Sequence, residues 1–255
     1  MIPVGDELPT LRTPWMNYLI LGLMWAAWLF VEGGGMNQVL LAARVCDLGM
    51  VPGELTRRAV LGTAVPIAPG MVCAVDNLPI NALTPLTSMF LHGGWWHIIG
   101  NSLFLWVFGN NVEDSMGPGR YLAFYLICGL AAAAAHILAA PTSPIPTVGA
   151  SGAISGVMGA YLLLYPRVRV KMLFIFVIFF KVFHIPAWLV LLYWFAVQVI
   201  TGLPQLSEVN AANTGGVAVW AHVGGFIAGV VLIKFFSDSQ LVARHKQIHG
   251  ARYGF

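Results

Sequence analysis

A serine set among glycines opens an apolar stretch, VGASGAISGVMGAYLLLYP, that covers 148–166. A serine hydroxyl is a weak nucleophile unless a neighbouring base accepts its proton. His222, in the later apolar segment WAHVGGFIAGV, can supply that base, because the pKa of an imidazole lies near neutral pH. No Asp or Glu occurs between Asp114 and Glu208, and none lies inside the six apolar segments described below. A hydrolase built on these residues would therefore use a Ser151–His222 dyad without a carboxylate.

Two further polar residues are candidates for binding the oxyanion that forms during acyl transfer. His97 and Asn101 are four residues apart, so they share one face of a helix. The backbone N–H of Ser151 is a third donor, because the first N–H groups of a helix have no intrahelical acceptor and the helix dipole favours negative charge there. Together these donors predict an oxyanion site beside the nucleophile.

Each of these residues also has a structural interpretation. Serine is common where membrane helices pack tightly, and each histidine could simply hydrogen-bond a neighbouring helix. A zinc peptidase is disfavoured, because the histidines do not form an H-E-x-x-H pattern and the apolar segments contain no carboxylate. The sequence therefore predicts no metal site and no cofactor.

The composition is that of a protein dissolved in a bilayer. Of the 255 residues, 58% are hydrophobic and 9% are charged, and the mean hydropathy is +0.80. Soluble domains carry about 25% charged residues. The net charge of +3 is too small and too dispersed to predict nucleic-acid binding. Cys46 and Cys73 could pair if their loop faces an oxidising compartment or could remain free thiols, and Cys128 is expected to be buried.

The apolar segments predict an all-α polytopic membrane protein with six transmembrane helices. A helix needs about 20 largely apolar residues to cross a bilayer. The predicted spans are Trp15–Val31, Trp95–Asn111, Tyr121–Ala140, Ala150–Tyr165, Pro186–Gly202 and Gly216–Phe236. Between the fourth and fifth spans, the segment around 170–185 (VKMLFIFVIFFKVFH) is apolar but interrupted by Lys181 and His184. We interpret it as a short interfacial or re-entrant segment.

The basic residues indicate the orientation. With both termini in the cytoplasm, the inner segments hold ten Lys and Arg and the outer segments hold three, as the positive-inside rule requires. The three outer ones lie in a long first loop of about 32–94, and the two short outer loops have none. No transit signal is evident, so we expect a plasma (bacterial inner) membrane. The predicted regions are a cytoplasmic N-terminal tail (1–14), a six-helix core (15–236) and a basic, solvated cytoplasmic C-terminal tail (237–255).

Small residues in the fourth and sixth spans predict that these helices pack closely. They recur at three- and four-residue spacing, which lets helix backbones approach each other in membranes. The residues are Gly152, Gly156, Gly159, Ala221, Gly225 and Gly229. Close packing would bring Ser151 and His222 to a similar depth, near His97 and Asn101 in the outer half of the bilayer. Because polar groups inside a membrane are usually functional, this coincidence favours catalysis over the structural interpretation.

Four blocks of the sequence, in order over about 84–229, resemble the rhomboid intramembrane serine proteases. The block LTSMFLHGGWWHIIGNSLFLWVFGNNVEDSMG resembles the second span of the family, and YLAFYLICGL resembles the third. The block GASGAISGVMGAY resembles the helix that carries the nucleophile, and AHVGGFIAGV resembles the helix that carries the base.

The resemblance implies that Ser151 is the nucleophile and His222 the general base. It also implies that His97, Asn101 and the Ser151 amide bind the oxyanion. The supporting positions of the same motifs are Gly149, Gly152, Gly225, Gly229 and His92. Family members cut transmembrane segments of other proteins near the membrane boundary, so the expected partners are transmembrane protein substrates and the lipid bilayer.

The chain departs from the family pattern at one position beside the dyad. Some members carry an aromatic residue four positions after the nucleophile that stacks on the base histidine, and here that position is Ser155. Trp220 is our candidate for an aromatic residue that orients the base instead. Two other functions stay open: a catalytically inactive rhomboid-like binder of membrane proteins, and a small transporter that uses His97 and His222 as a proton relay.

Overall fold

The computed structural model describes residues 2–176, 179–206 and 218–253. The helices are α1 (Trp15–Ala26, continued by a π-helical turn over Ala27–Val31), α2 (Gln38–Leu48), α3 (Pro52–Leu55), α4 (Thr84–Thr87), α5 (Trp95–Met116), α6 (Pro118–Ala139), α7 (Ser151–Leu164), α8 (Ala187–Gly202), α9 (Val219–Phe236) and α10 (Ser239–Tyr253). The strands are β1 (Ile2–Asp6), β2 (Ala64–Ala68), β3 (Met71–Ala74), β4 (Arg169–Phe176) and β5 (Phe179–Pro186).

The predicted spans overlap six of the longer helices, with ends that differ by a few residues: α1 with its π-helical turn, α5, α6, α7, α8 and α9. Helices α6 and α9 are long and apolar enough to cross a membrane by length and composition, whereas α1 with its π-helical turn, α7 and α8 are apolar but shorter. Helix α5 continues past the predicted end at Asn111 to Met116. Residues 207–215 of the last predicted outer loop and the start of the sixth span, 216–217, lie outside the described residues. The chain is a helical membrane protein.

The prediction of an all-α fold is wrong for the segment around 170–185. This segment forms β4 and β5, an antiparallel hairpin in which Arg169 pairs with Pro186 and Phe176 pairs with Phe179. Strand β1 pairs with β4, so the sheet order is β1-β4-β5. β-branched and aromatic residues, which favour strands, are frequent in this segment, but its continuous apolarity hid the strand pattern. A second hairpin, β2–β3, lies within the first loop.

Both terminal regions form ordered elements as far as the structure describes them, and His245, expected in a solvated tail, is buried. Besides the pairing of β1, the carboxylate of Asp6 accepts hydrogen bonds from Tyr161 at 2.6 Å and from Asn111 at 2.9 Å. In α10, the side chain of His245 is buried, with its Nε2 3.0 Å from a carboxylate oxygen of Asp114. These contacts join residues more than 100 positions apart, so no local sequence pattern predicts them.

Contacts at the helix ends show which ends lie on the same side of the protein. Met50 of the first loop and Thr147, just before α7, exchange two backbone hydrogen bonds of 2.9 and 2.8 Å. On the opposite side, β1 pairs with β4, and Asp114 at the end of α5 accepts hydrogen bonds from Arg12 and contacts His245. We call these the loop side and the terminal side. Helices α5 and α7 begin on the loop side.

Helices α7 and α9 pack with their backbones in contact, as the glycine spacing predicted. A methyl group added at Gly225 would lie 2.0 Å from the carbonyl oxygen of Gly152, and one added at Gly229 would lie 1.9 Å from that of Gly156. Both distances are far below van der Waals contact. The two helices can therefore approach this closely only because these positions lack a Cβ.

A disulfide joins Cys46 of α2 to Cys73 of β3, which decides between the two alternatives that the sequence left open. Cys128 is a buried free thiol. The bond closes a loop between cysteines 27 positions apart. In the chain-entropy account, a loop of this length stabilises the fold by on the order of 3 kcal/mol.

We expect Cys46→Ser and Cys73→Ser to lower the thermal midpoint by similar amounts. The double variant should lower it no further, because each single change already breaks the same bond. Maleimide titration of the denatured, unreduced wild type should find one reactive thiol per chain. Three reactive thiols would contradict the disulfide.

Candidate active site

The hydroxyl of Ser151 and the imidazole of His222 are in hydrogen-bond contact. Ser151 is the first residue of α7, and His222 lies in the first turn of α9. Because the two helices are in backbone contact, the side chains meet, and Ser151 Oγ lies 2.8 Å from His222 Nε2. This is the distance that a nucleophile and its general base require.

The other nitrogen of His222 contacts a side chain that the sequence analysis missed. His222 Nδ1 lies 2.8 Å from Oε1 of Gln198 on α8. An amide oxygen only accepts hydrogen bonds, so Nδ1 carries the proton in the neutral ring and Nε2 is left with a lone pair facing Ser151. The one available signal was an amide within an otherwise apolar helix, a position that polar side chains rarely occupy without a role.

The aromatic ring beside His222 belongs to Trp194, not to Trp220 as the sequence suggested. The centroids of the Trp194 and His222 rings are 5.7 Å apart, with 40° between the ring planes. Trp220 packs instead against Gly202 at the end of α8. Ser155 donates a hydrogen bond of 2.6 Å to the backbone oxygen of Ser151, which is a structural contact within α7.

His97 and Asn101 bring hydrogen-bond donors to the same place. Nδ1 of His97 accepts a hydrogen bond from the backbone N–H of Gly93 at 3.3 Å, so the proton of the neutral ring is on Nε2. That Nε2–H faces Gly149, next to Ser151. The side chain of Asn101 is 8% exposed, and its Nδ2 has no hydrogen-bond partner among the described residues. A buried amide without an acceptor is poised to bind a ligand oxygen.

A cavity of about 460 Å³ connects these groups. Its wall includes Ser151, His222, His97, Asn101 and Trp194. Met50 and Thr147 also contribute to the wall, so the cavity lies beneath the loop side. The cavity therefore places a concave space beside Ser151, His97 and Asn101.

Two glycines beside Ser151 occupy positions where a side chain would not fit. Gly149 has a φ of +133°, and its N–H donates to the backbone oxygen of Ser88 at 2.8 Å. A methyl group at Gly149 would lie 2.7 Å from Nε2 of His97, and one at Gly152 would lie 2.6 Å from Cβ of Ala132. Gly149 thus leaves room for the His97 ring, and Gly152 lets α7 approach α6.

His92 and Glu32 form a buried pair behind His97. The backbone N–H of His92 donates to Glu32 Oε1 at 2.8 Å, and the rings of His92 and His97 are 5.1 Å apart at an angle of 70°. Burial, with a smaller contribution from His97, lowers the pKa of His92 to about 3. Burial raises the pKa of Glu32 to about 7. At neutral pH His92 is therefore uncharged and supports His97 by packing. The sequence analysis did not single out Glu32, because this residue directly follows the first span and was placed in the first loop.

The fold and this site define the class of helical membrane proteins with a serine–histidine pair. Within that class the chain belongs to the rhomboid family, because the family model for the Rhomboid domain matches residues 81–239. This confirms the resemblance seen in the sequence.

Relatives that match the chain carry rhomboid names. The chain is 35% identical over 147 residues to Rhomboid protease GluP of Bacillus subtilis, covering 58% of this chain and 25% of the relative. It is 27% identical over 170 residues to Rhomboid protein 1, mitochondrial, of Saccharomyces cerevisiae, covering 64% of this chain and 44% of the relative. Rhomboid-like protease 5 of Toxoplasma gondii is 31% identical over 147 residues, 56% of this chain and 15% of the relative. The chain thus spans less than half the length of these relatives.

Proposed function

We propose that the chain is an intramembrane serine endopeptidase that cleaves transmembrane segments of other membrane proteins. The observation that carries this proposal is the 2.8 Å contact between Ser151 Oγ and His222 Nε2. The donors that surround it strengthen the proposal, because a protein that only binds clients has no need for an activated hydroxyl beside an unsatisfied amide.

The reaction follows from the positions of these groups. His222 Nε2 takes the proton of Ser151 as Oγ attacks the scissile carbonyl carbon. The oxyanion is stabilised by His97 Nε2–H, Asn101 Nδ2–H and the backbone N–H of Ser151. His222 then gives the proton to the leaving amine, and the C–N bond breaks to leave an ester on Ser151. A water molecule, deprotonated by His222, hydrolyses the ester and restores the hydroxyl.

The substrate must lose helical structure where it is cut. In an intact transmembrane helix every backbone carbonyl is hydrogen-bonded and shielded. A segment that unwinds near the membrane boundary can enter the cavity in extended form. The partners of this chain are therefore transmembrane proteins with a helix that is weak near the loop side.

The disulfide and the basic residues support one orientation in the membrane. Disulfides persist in oxidising compartments, so the first loop with Cys46 and Cys73 faces the outside. We place both termini in the cytoplasm, with the six long helices crossing a plasma (bacterial inner) membrane. Most Lys and Arg then lie on the cytoplasmic side.

The proposal is tested by labelling the detergent-solubilised protein with a fluorophosphonate and mapping the adduct by mass spectrometry. We expect an adduct on Ser151 in the wild type and none in Ser151→Ala or His222→Ala. A folded wild type that stays unlabelled beside a labelled control hydrolase would overturn the proposal. It would favour the inactive binder or the transporter instead.

Asn101→Ala is expected to lower kcat by roughly 10²- to 10³-fold with little change in KM, because the lost donor acts mainly on the oxyanion. The measurement is cleavage of a transmembrane peptide in reconstituted vesicles. Asn110→Ala makes the same change further along α5, away from the cavity, and is the matched control. Equal kcat values for the two variants would contradict the role of Asn101.

A further inference from the structure

Helix α8 holds the catalytic base from the side opposite the nucleophile. Gln198 Oε1 contacts His222 Nδ1 at 2.8 Å, and Trp194, one helical turn earlier, lies beside the same ring. The two side chains therefore limit both the direction and the tilt of the imidazole. The chain has no Asp or Glu between residues 115 and 207 that could do this from α7 or α8.

We propose that Gln198 is the positioning residue of this active site and replaces the carboxylate of a serine triad with a neutral acceptor. The inference rests on the proposed function. By accepting a hydrogen bond from Nδ1–H, Gln198 selects the tautomer whose Nε2 can deprotonate Ser151. A carboxylate in this apolar setting would need a desolvated charge, whereas an amide orients the ring without one.

The contact to Gln198 strengthens as the reaction proceeds. When His222 takes the serine proton, the ring becomes an imidazolium, and the hydrogen bond from Nδ1 becomes charge-assisted. An interaction that is stronger in the transition state than in the ground state raises kcat more than it changes substrate binding. Ser155 does not compete for this role, because its hydroxyl is bonded to the Ser151 carbonyl.

Few residues of helix α8 are buried against the rest of the protein, and this affects the contact between Gln198 and His222. Of its 16 residues, only Ala187, Leu191 and Gly202 are buried. The orientation of His222 therefore depends on a helix with few buried anchors. Any displacement of α8 away from α9 would release the base.

The test compares Gln198→Leu, which removes the acceptor, with Gln198→Glu, which keeps an acceptor at the same reach. Thr201→Val is the control on α8, since among the described residues the Thr201 hydroxyl bonds backbone oxygens of its own helix. We expect Gln198→Leu to lower kcat by roughly 10- to 100-fold at nearly constant KM, the effect of losing a hydrogen bond to a charged group. We expect Gln198→Glu to recover most of that loss at a lower thermal midpoint, because its charge is desolvated. Gln198→Leu and Thr201→Val should keep the wild-type thermal midpoint.

A ¹⁵N-histidine spectrum supplies a readout that packing alone would not change. The His222 signal, assigned by its loss in His222→Ala, should show protonated Nδ1 in the wild type and a mixture of tautomers in Gln198→Leu. Wild-type kcat in Gln198→Leu would overturn the positioning role while the fluorophosphonate adduct on Ser151 still supports the protease. An unlabelled wild type would instead overturn the proposed function itself.

A second, independent observation concerns the hairpin β4–β5 on the terminal side. Its outer half exposes large apolar side chains on both faces: Phe174, Ile175, Phe176, Phe179, Phe180, Val182 and Phe183. The hairpin leads directly into α8, where exposed Trp188 and Leu189 continue the apolar surface. The hairpin carries Arg169, Lys171 and Lys181 and no acidic residue of its own, and its His184 is paired with Glu7.

We infer that this hairpin lies in the interfacial layer of the bilayer, with its aromatic rings among the acyl chains and the exposed Lys181 at anionic headgroups. Each strand has eight residues, fewer than the 9–11 of a membrane-spanning strand. Strand β5 is also a sheet edge, and its unpaired backbone groups are excluded from the hydrocarbon core. The continuity with α8 and the positive charge identify lipid, not water, as its surroundings.

The depth of the hairpin can be measured by attaching a polarity-sensitive fluorophore at Phe180→Cys in vesicles of phosphatidylcholine and phosphatidylglycerol. Gln240→Cys, an exposed position of α10, is the control. We expect spin-labelled lipid to quench the probe at 180, and iodide on both sides of the membrane to quench the probe at 240. Iodide quenching at both positions would overturn the inference, and so would a probe at 180 that neither quencher reaches, which would indicate a protein partner.

Discussion

Replacing Ser151 with alanine is expected to lower the rate of substrate cleavage by roughly 10⁴-fold or more, because it removes the oxygen that forms the acyl-enzyme ester. His222→Ala should have an effect of similar size, since the hydroxyl then keeps its proton. Initial rates on a transmembrane substrate reconstituted with each variant measure both effects. The remaining rate would reflect substrate binding and the oxyanion donors alone.

Combining Ser151→Ala with His222→Ala tests whether the two residues act as one unit. Residues that act as one unit are not additive, so Ser151→Ala with His222→Ala should be no slower than the slower single variant. Ser155→Ala removes the same type of hydroxyl one turn further along α7 and should retain most of the activity. A double variant whose loss equals the product of the two single losses would show that the residues act separately, and would contradict the dyad.

The residues of the proposed dyad and oxyanion site could be singled out in the sequence because the bilayer leaves so few polar residues in place. In segments that are otherwise apolar, Ser151, His97, Asn101 and His222 stand out, and helical spacing puts them at one depth. The structure brings all four to one cavity. The packing role of the glycines on α7 and α9 could also be predicted, since close helix packing in membranes depends on small residues at regular spacing.

The residues that the sequence did not indicate are those whose role depends on a distant partner. The sequence does not indicate a role for Gln198, because its partner His222 is 24 positions away and no motif links the two residues. The role becomes visible only when α8 is placed beside α9. The pairing of Asp114 with His245 crosses 131 positions. The hairpin was missed for a different reason, since an apolar run of this length is compatible with a strand and with a membrane segment alike.

Gly229→Val is expected to be the most damaging change outside the reacting groups. A Cβ at Gly229 would lie 1.9 Å from the carbonyl oxygen of Gly156 and within 2.7 Å of its Cα, and a helix backbone cannot move aside as a side chain can. Helices α7 and α9 must therefore separate. We expect a loss of about 3 kcal/mol in the free energy of unfolding, at the upper end of overpacking effects.

The same separation should disable the site, because α7 carries Ser151 and α9 carries His222. A shift of about 1 Å between reacting groups can lower a rate by roughly 10²-fold, so fluorophosphonate labelling should slow even in protein that remains folded. Gly22→Val on α1 is the matched control, since a Cβ there meets no atom within 4 Å. We expect it to keep the wild-type thermal midpoint and labelling rate. A Gly229→Val protein that labels as fast as the wild type would show that backbone contact between α7 and α9 does not set the 2.8 Å distance between serine and histidine.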